Sequence, residues 1–335
     1  DNGCHWDKKT CKNAAENGHL EVLKWLRENG CDWDSGVCFE AALGGHFEVL
    51  KWARENGCTW NDQTVIAAAT AGRIDILEWL LENGCQIDDA TSYHAATAGK
   101  FGVVRWCVEQ KYPFNPFVHA VAAEKGDLDL LKWLREKGYH CDDKEACARA
   151  ALNGYFEVLK WLRENGCDWD SRTCAFAAVQ GQLEMLKWLR ENGCEWDSST
   201  TLYAAKGGHF ELLKWLRENY CPWNDYTTSS AALNGDFEML KWARENGCDW
   251  DIDCCSNAAY NGHLEILKWL RANGCPWTSN TCTQAATNGH LEVLQWAREN
   301  GCDWDSSVCH YAAKNGHVEV LKWAIENGCD WPHET

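Results

Sequence analysis

Residues 18–33, GHLEVLKWLRENGCDW, are the stretch that most of this 335-residue chain repeats. The turn glycine that opens the stretch recurs every 27 residues, except for a single step of 28. Its positions are Gly18, Gly45, Gly72, Gly99, Gly126, Gly154, Gly181, Gly208, Gly235, Gly262, Gly289 and Gly316. Self-similarity at a fixed period of this length is typical of a stacked array of small units. The sequence therefore predicts an all-α solenoid of about twelve repeats that forms a single domain over residues 1–335.

Each repeat is predicted to contain two short helices. In the repeat at 31–57, Asp34 and Ser35 are of the N-cap type and precede a first helix over about 36–43. Gly45 then supplies a left-handed turn, because residues without a Cβ adopt that conformation at little cost. A second helix is expected over about 47–56. A helix pair this small cannot bury its own apolar face, so neighbouring repeats must stack on both sides of it.

Two columns of tryptophan are expected to form part of the core, because they recur in nearly every repeat. In the second helix, Val49, Leu50 and Trp52 are predicted to face inward. The helix column contains Trp25, Trp52, Trp79, Trp106, Trp133, Trp161, Trp188, Trp215, Trp242, Trp269, Trp296 and Trp323. The loop column contains Trp6, Trp33, Trp60, Trp169, Trp196, Trp223, Trp250, Trp277, Trp304 and Trp331. Exposed aromatic platforms for bases or sugars are the alternative interpretation.

Most of the 21 cysteines also fall into two columns. One column begins at Cys4 and Cys31, and the other lies seven residues further on and begins at Cys11 and Cys38. The second column lacks cysteine in nearly half the repeats, so small buried thiols fit the pattern better than disulfides or metal sites. Many unpaired thiols favour a reducing compartment, and we expect a cytoplasmic protein.

Charge and motifs exclude several functions. The formal net charge of -18 opposes binding to nucleic acid and to anionic membrane surfaces. No apolar run is long enough to span a membrane. The chain contains no phosphate-binding loop, nucleophile elbow or H-E-x-x-H motif, so no catalytic residue, cofactor or metal is predicted. Cys141 next to His140, and the pair Cys254–Cys255, are too sparse for a metal site.

The run AA-x-x-G-H-L-E-V-L, followed by N-G-C-D-W-D, resembles the ankyrin repeat, whose helix-turn-helix unit reads A-A-x-x-G-H, two aliphatic residues and then G-A-D. The match covers residues 14–34 and recurs over essentially the whole chain. The usual ankyrin repeat has 33 residues, and the residues missing here fall in the loop that forms its β-hairpin finger. The resemblance implies a non-catalytic scaffold that binds proteins on a concave face of first helices and loops. It also implies that the histidine after the turn, such as His46, hydrogen-bonds loop backbone.

The first helices carry a variable face that is predicted to bind the partner. The columns of Cys11, Ala14 and Ala15 stay small, whereas the columns of Lys12 and Asn13 change from repeat to repeat. Aromatic residues and arginine on such a face are typical of interface anchors, although neutral drift on a free surface is an alternative. The predicted protein-binding residues are Phe39, Ile66, Tyr93, Phe114, Phe117, Arg149, Phe176, Tyr203, Tyr226, Tyr260 and Tyr311.

Residues 85–146 are the irregular part of the array. Phe114 stands where other repeats have a loop tryptophan, and the extra residue lies between Gly138 and Cys147. Phe114 and Phe117 are therefore predicted to form a specificity site. Tyr220, at a glycine position, is a smaller irregularity.

Two functions remain open at this point. The leading hypothesis is an adaptor that holds a protein partner on the first-helix face. The alternative is a structural protein that self-associates head to tail through the ends of the array, at Cys4 and Trp331, into a filament or larger complex.

Overall fold

A computed structural model describes residues 6–330, and this part of the chain consists of 24 helices joined by loops, with no strand. The predicted all-α solenoid of paired helices is confirmed. Cys4 and Trp331, the residues named for the ends of the array, lie outside the described range.

The described residues group into two compact units, which meet in sequence at Asp168 and Trp169. The first unit contains α1 (Lys8–Glu16), α2 (Leu20–Glu28), α3 (Gly36–Leu43), α4 (Phe47–Glu55), α5 (Asp62–Ala71), α6 (Ile74–Glu82), α7 (Asp89–Thr97), α8 (Phe101–Glu109), α9 (Val118–Glu124), α10 (Leu128–Glu136), α11 (Lys144–Leu152) and α12 (Phe156–Glu164). The second contains α13 (Ser171–Val179), α14 (Leu183–Glu191), α15 (Ser198–Lys206), α16 (Phe210–Glu218), α17 (Tyr226–Asn234), α18 (Phe237–Glu245), α19 (Cys254–Tyr260), α20 (Leu264–Ala272), α21 (Ser279–Thr287), α22 (Leu291–Glu299), α23 (Ser307–Lys314) and α24 (Val318–Glu326). A single domain over 1–335 stays a prediction.

Within each unit the odd-numbered helices are the first helices of the repeats. Successive first helices pack side by side, as α1, α3 and α5 do, and each second helix packs on the first helix of its own repeat. Side chains at the contact must be small for helices to lie this close, and Ala41 and Ala42 are both fully buried there. The observed bounds of α3 and α4 agree with the predicted helices to within one residue.

The turn between the two helices of a repeat requires glycine for two reasons. Gly18 has a φ of +72°, in the left-handed region that favours residues without a Cβ. A Cβ added to Gly18 would also lie 2.5 Å from the ring of His46 in the next repeat, far inside van der Waals contact. The turn therefore fixes the chain direction and leaves room for the neighbouring histidine.

That histidine ties successive repeats together. Nε2 of His46 lies 2.9 Å from the carbonyl oxygen of Glu16, at the end of the preceding first helix. The same bond to the preceding repeat is made by His209, His263, His290 and His317. The acceptor is backbone, as expected, but it belongs to the end of the preceding first helix and not to a loop, so the bond crosses from one repeat to the next.

The core is aliphatic, and most tryptophans lie partly buried at its border and do not face fully inward as predicted. Val49, Leu50 and Ala53 on α4 are almost completely buried, whereas Trp52 beside them is only half-buried. Trp25 is 49% exposed, and Trp106 is the buried exception in the helix column. The core-facing stripe of a nine-residue helix is filled by its aliphatic residues, so the larger indole lies along the edge of the stripe.

The two tryptophan columns form a row along this edge. The loop tryptophan before each first helix meets the helix tryptophan of the same repeat edge to face, as in Trp33 and Trp52, whose ring centroids are 5.7 Å apart. An arginine from the preceding second helix covers the loop ring, as Arg27 covers Trp33 at 4.6 Å. Each such aromatic pair or cation–π contact contributes about 0.5–1 kcal/mol. The loop tryptophans thus link consecutive second helices.

Candidate functional site

The first helices separate buried and accessible side chains as the sequence predicts. On α3, Cys38, Ala41 and Ala42 are fully buried, whereas Phe39 and Glu40 are partly accessible. One face of the helix therefore supplies the core and the other is open to solvent. Because helices of this kind lie side by side within each unit, their accessible faces form a continuous surface in each unit, which we call the first-helix face.

None of the eleven predicted binding residues is buried. Phe117 and Tyr226 are the most accessible of them, with 51% and 54% of the side chain exposed. Tyr260 and Tyr311 are also exposed. The half-buried residues are Phe39, Ile66, Tyr93, Phe114, Arg149, Phe176 and Tyr203. Exposed aromatic rings carry apolar area that a partner can cover, which is the property of interface anchors.

The structure brings some of these residues together. In the second unit, the rings of Phe176 on α13 and Tyr203 on α15 lie 6.3 Å apart, so adjacent repeats present a joined aromatic surface. Tyr93 meets its neighbour His94, with ring centroids 5.4 Å apart. His310 and Tyr311 form a similar pair at 5.1 Å. Aromatic side chains on the first-helix face therefore occur as small clusters within or between neighbouring helices.

Arg149 is held by carboxylates rather than free. Its Nε lies 3.0 Å from Glu145 on the same helix, and its guanidinium also pairs with Glu124 on α9. The two carboxylates raise the pKa of the guanidinium against the effect of burial. Arg149 therefore joins α9 to α11, and its positive charge is paired with two carboxylates instead of being free.

Phe114 and Phe117 differ in their surroundings although they share one loop. The ring of Phe114 packs against Tyr139, with centroids 4.5 Å apart, and against the buried His119. Burial lowers the pKa of His119 and so favours its neutral form. Phe117 instead points away from the core at the start of α9. Phe117 therefore supplies most of the accessible apolar surface of this pair.

Tyr220 and Ile252, two exposed loop residues of the second unit, were not among the predicted anchors. Tyr220 is 89% exposed and adopts a φ of +61°, which is unusual for a residue with a Cβ. Ile252, before α19, is also exposed. The signal for Tyr220 was present in the sequence, because a bulky side chain replaces the second glycine of the repeat. Ile252 gave no comparable signal.

The described residues contain neither a metal-binding cluster nor a membrane-spanning helix. No group of three or more histidine, cysteine, aspartate or glutamate side chains in this range is placed to hold a metal ion. Over the same range, no helix combines the length and the apolar character needed to cross a bilayer.

Comparison with known proteins identifies similar repeats and folds. Among curated proteins, none matches the chain in sequence. The human ASB11 ankyrin repeat domain is similar over 48% of this chain and 86% of its own, with 21% identity and a TM-score of 0.38. The pentatricopeptide repeat protein PPR10, in complex with an 18-nt psaJ RNA element, is similar over 96% of this chain, with 11% identity and a TM-score of 0.50. This chain covers 59% of that PPR10 chain. A second structure, of PPR10 from maize, is similar over 98% of this chain and 60% of its own, with 13% identity and a TM-score of 0.42.

Family models decide between these repeat types. A model of ankyrin repeats in three copies matches residues 12–91, 118–200 and 255–334, well over half of the chain. A second model of ankyrin repeats, in many copies, matches residues 229–271. The described repeats are shorter than usual and have loops without strands where other ankyrins have the β-hairpin finger. The chain belongs to the ankyrin repeat family, as a divergent member with short, tryptophan- and cysteine-rich repeats.

Proposed function

We propose that this chain is a non-catalytic adaptor that holds a protein partner on its first-helix face. The observation that supports the proposal is the exposure of aromatic side chains on or next to first helices whose other face is buried, above all Phe117 just before α9 and Tyr226 at the start of α17. Tyrosine and phenylalanine bury large areas at a small cost in side-chain entropy, so they are enriched among the residues that dominate binding energy.

The family supports the same function in general terms. Ankyrin repeats are generally protein-interaction scaffolds and typically have no catalytic activity. The RNA in the PPR10 complex belongs to that protein, and we do not extend it to this chain. A net charge of -18 would repel a phosphate backbone, and contacts to phosphate supply most of the affinity of RNA-binding surfaces. The many free thiols fit a reducing compartment, so we place the partner in the cytoplasm.

Site-specific photo-crosslinking tests the proposal. A photoreactive phenylalanine analogue at Phe117 in the first unit, or at Tyr226 in the second, is expected to capture the partner in cells. The controls carry the analogue at Val318 and Ile325, which are also about half exposed but lie on a second helix. Equal capture of the same protein from all four positions would contradict a binding site on the first-helix face.

Substitution then measures the contribution of the anchors. Phe117→Ser with Tyr226→Ser is expected to weaken binding of the captured partner at least about tenfold, because each interface anchor is worth about 1–2 kcal/mol. The control is Val318→Ser with Ile325→Ser, for which affinity is expected to stay within about twofold. Circular dichroism establishes that both variants fold. Crosslinks between two copies of this chain would instead favour the self-associating structural protein.

A further inference from the structure

The two cysteine columns meet inside a repeat when the repeat is counted from its first helix through the loop after its second helix, which we call the closing loop. In the first repeat, Cys11 on α1 donates to the sulfur of Cys31 in the closing loop, with the two sulfur atoms 2.9 Å apart. Cys31 in turn donates to the carbonyl oxygen of Asp7, just before α1. The thiol pair therefore fastens the loop that ends a repeat to the helix that begins it.

The same contact recurs wherever both columns hold cysteine. Each pair joins residues twenty positions apart, and the partners interact through their side chains. The pairs are Cys11–Cys31, Cys38–Cys58, Cys147–Cys167, Cys174–Cys194, Cys255–Cys275, Cys282–Cys302 and Cys309–Cys329. Two further thiols join these pairs, since Cys141 lies 2.6 Å from Cys167 and Cys254 interacts with Cys275. The arrangement is thus a series of seven separate thiol sites, five with two thiols and two with three.

Five repeats lack such a pair, and two of them show how the closing loop is held to the first helix without a second thiol. Thr201 donates to the carbonyl oxygen of Pro222 at 2.9 Å, and Thr228 donates to that of Asp249 at the same distance. Cys221, opposite Thr201, has no thiol partner at the twenty-residue spacing. A hydroxyl can therefore hold the closing loop, so a second thiol is not needed for the fold. The pairs have a chemical capacity that the threonine repeats lack.

We propose that the seven cysteine pairs are sites of reversible disulfide formation, in which each bond ties the first helix of a repeat to the closing loop of that repeat. Because every bond is local, its absence from five repeats does not interrupt the others. In a reducing compartment such bonds are transient, which suits a redox-responsive modification rather than a permanent framework.

The reaction is a thiol–disulfide exchange with a small disulfide such as glutathione disulfide. The thiolate of the loop cysteine, Cys58 for example, attacks one sulfur of glutathione disulfide and releases one glutathione thiolate. That thiolate takes the proton of Cys38, whose sulfur then attacks the sulfur of Cys58 and releases the second glutathione. Two protein thiols are oxidised to one disulfide, and one glutathione disulfide is reduced to two glutathiones.

In two of the seven pairs, the hydrogen bond between the thiols favours this order of events. The thiol of Cys38 donates toward Cys58, which lowers the pKa of Cys58 and raises that of Cys38. In the same way, the hydrogen bond between Cys282 and Cys302 raises the pKa of Cys282 and lowers that of Cys302. Both sulfurs are buried, so exchange requires the closing loop to open, and Gly57 and Thr59 in that loop are exposed. Local opening of exposed loops needs far less free energy than global unfolding.

Mass spectrometry of the reduced chain incubated with glutathione disulfide tests the proposal. The intact mass is expected to fall by about 2 Da for each bond, in up to seven steps. Peptide mapping is expected to join cysteines twenty residues apart, with Cys141 and Cys254 as alternative partners in their clusters. Excess glutathione should reverse the change.

Unpaired thiols and one variant give the matched controls. Cys85, opposite Val65, and Cys221, opposite Thr201, should stay free or gain a glutathione adduct of about 305 Da. Cys38→Thr copies a residue that other repeats use, so it should fold and lose one bond while Cys58 behaves like Cys221. The proposal is overturned if the folded chain forms no disulfide under conditions in which Cys85 gains a glutathione adduct. It is also overturned if disulfides join cysteines outside the predicted pairs and clusters.

Discussion

At the scale of single residues, two positions carry a backbone conformation that their side chains disfavour. Tyr220 and Lys111 are the only residues other than glycine with a positive φ in the range 6–330, and both stand where other repeats have the second glycine. A Cβ in the left-handed region costs roughly 1–2 kcal/mol. Glycine removes this strain, but it also increases the conformational entropy of the unfolded chain, so the net gain in stability is smaller than the strain.

Tyr220→Gly is therefore expected to stabilise the second unit by about 0.5–1 kcal/mol. The matched change is Gly247→Ala at the equivalent position of the next repeat, where φ is +85° and an added Cβ would meet no atom within 4 Å. Since only the backbone conformation opposes that alanine, it should destabilise by about 1 kcal/mol. Urea unfolding of both variants measures the two effects, and shifts of the same sign would refute this account.

Sequence reasoning at this scale succeeded where a residue has one physical role. The glycine turns and the small buried columns of Ala41 and Ala42 could be predicted because few other residues satisfy those positions. The tryptophans were misplaced because the repeat period shows which residues share a column, but not how much of that column the neighbouring repeat covers. Phe114 illustrates the same limit, since its contacts with Tyr139 depend on two loops that are distant in sequence.

At the scale of the helices, the histidine column shows two ways to begin a second helix. His209 precedes α16 and bonds the carbonyl oxygen of Val179 in the preceding repeat, at 3.0 Å. Asp236 stands at the same position before α18 and accepts from the backbone N–H of Met239 at 2.9 Å, which is an N-cap bond. Histidine thus links two repeats, whereas aspartate stabilises the helix that follows it.

His209→Ala is expected to destabilise the chain by about 1 kcal/mol, because it leaves the carbonyl of Val179 without this partner and adds no cap. His209→Asp is expected to cost less, since an aspartate there can accept from the first turn of α16, as Asp236 does for α18. Equilibrium unfolding in urea compares the two variants with the parent chain. If alanine and aspartate proved equally tolerated, the bond to Val179 would have no measurable role in stability.

At the scale of the whole molecule, the resemblance of the repeats to ankyrin repeats predicted the class of function but not the partner. The net charge of -18 indicates which surfaces the chain avoids. The candidate binding residues were found by comparing repeats within the chain, and their accessibility follows from the amphipathic first helices. The pairing of the cysteine columns was missed, because it requires the closing loop to fold back on the helix that precedes it by twenty residues.

Buried thiols in both units predict that the molecule loses stability in alkali. Burial raises the pKa of Cys107, Cys221 and Cys248 to about 12. In the unfolded chain the same thiols ionise above a pH of about 8.5. Their folded pKa is raised, so the stability they contribute is complete below pH 8.5 and declines as pH rises toward 12. Each such thiol lowers the free energy of unfolding by up to about 1.4 kcal/mol for every pH unit in this range.

The reduced chain should therefore unfold at clearly lower urea concentration at pH 9.5 than at pH 7.5, with a non-thiol reductant present throughout. Cys107→Val, which keeps an apolar side chain but cannot ionise, should reduce the slope of stability against pH by up to about 1.4 kcal/mol per unit. Unchanged midpoints across this interval would mean that the thiols ionise equally in the folded and unfolded chain. Since ionised thiols cannot remain in a water-free core without large cost, such a result would require the cysteine columns to be open to solvent.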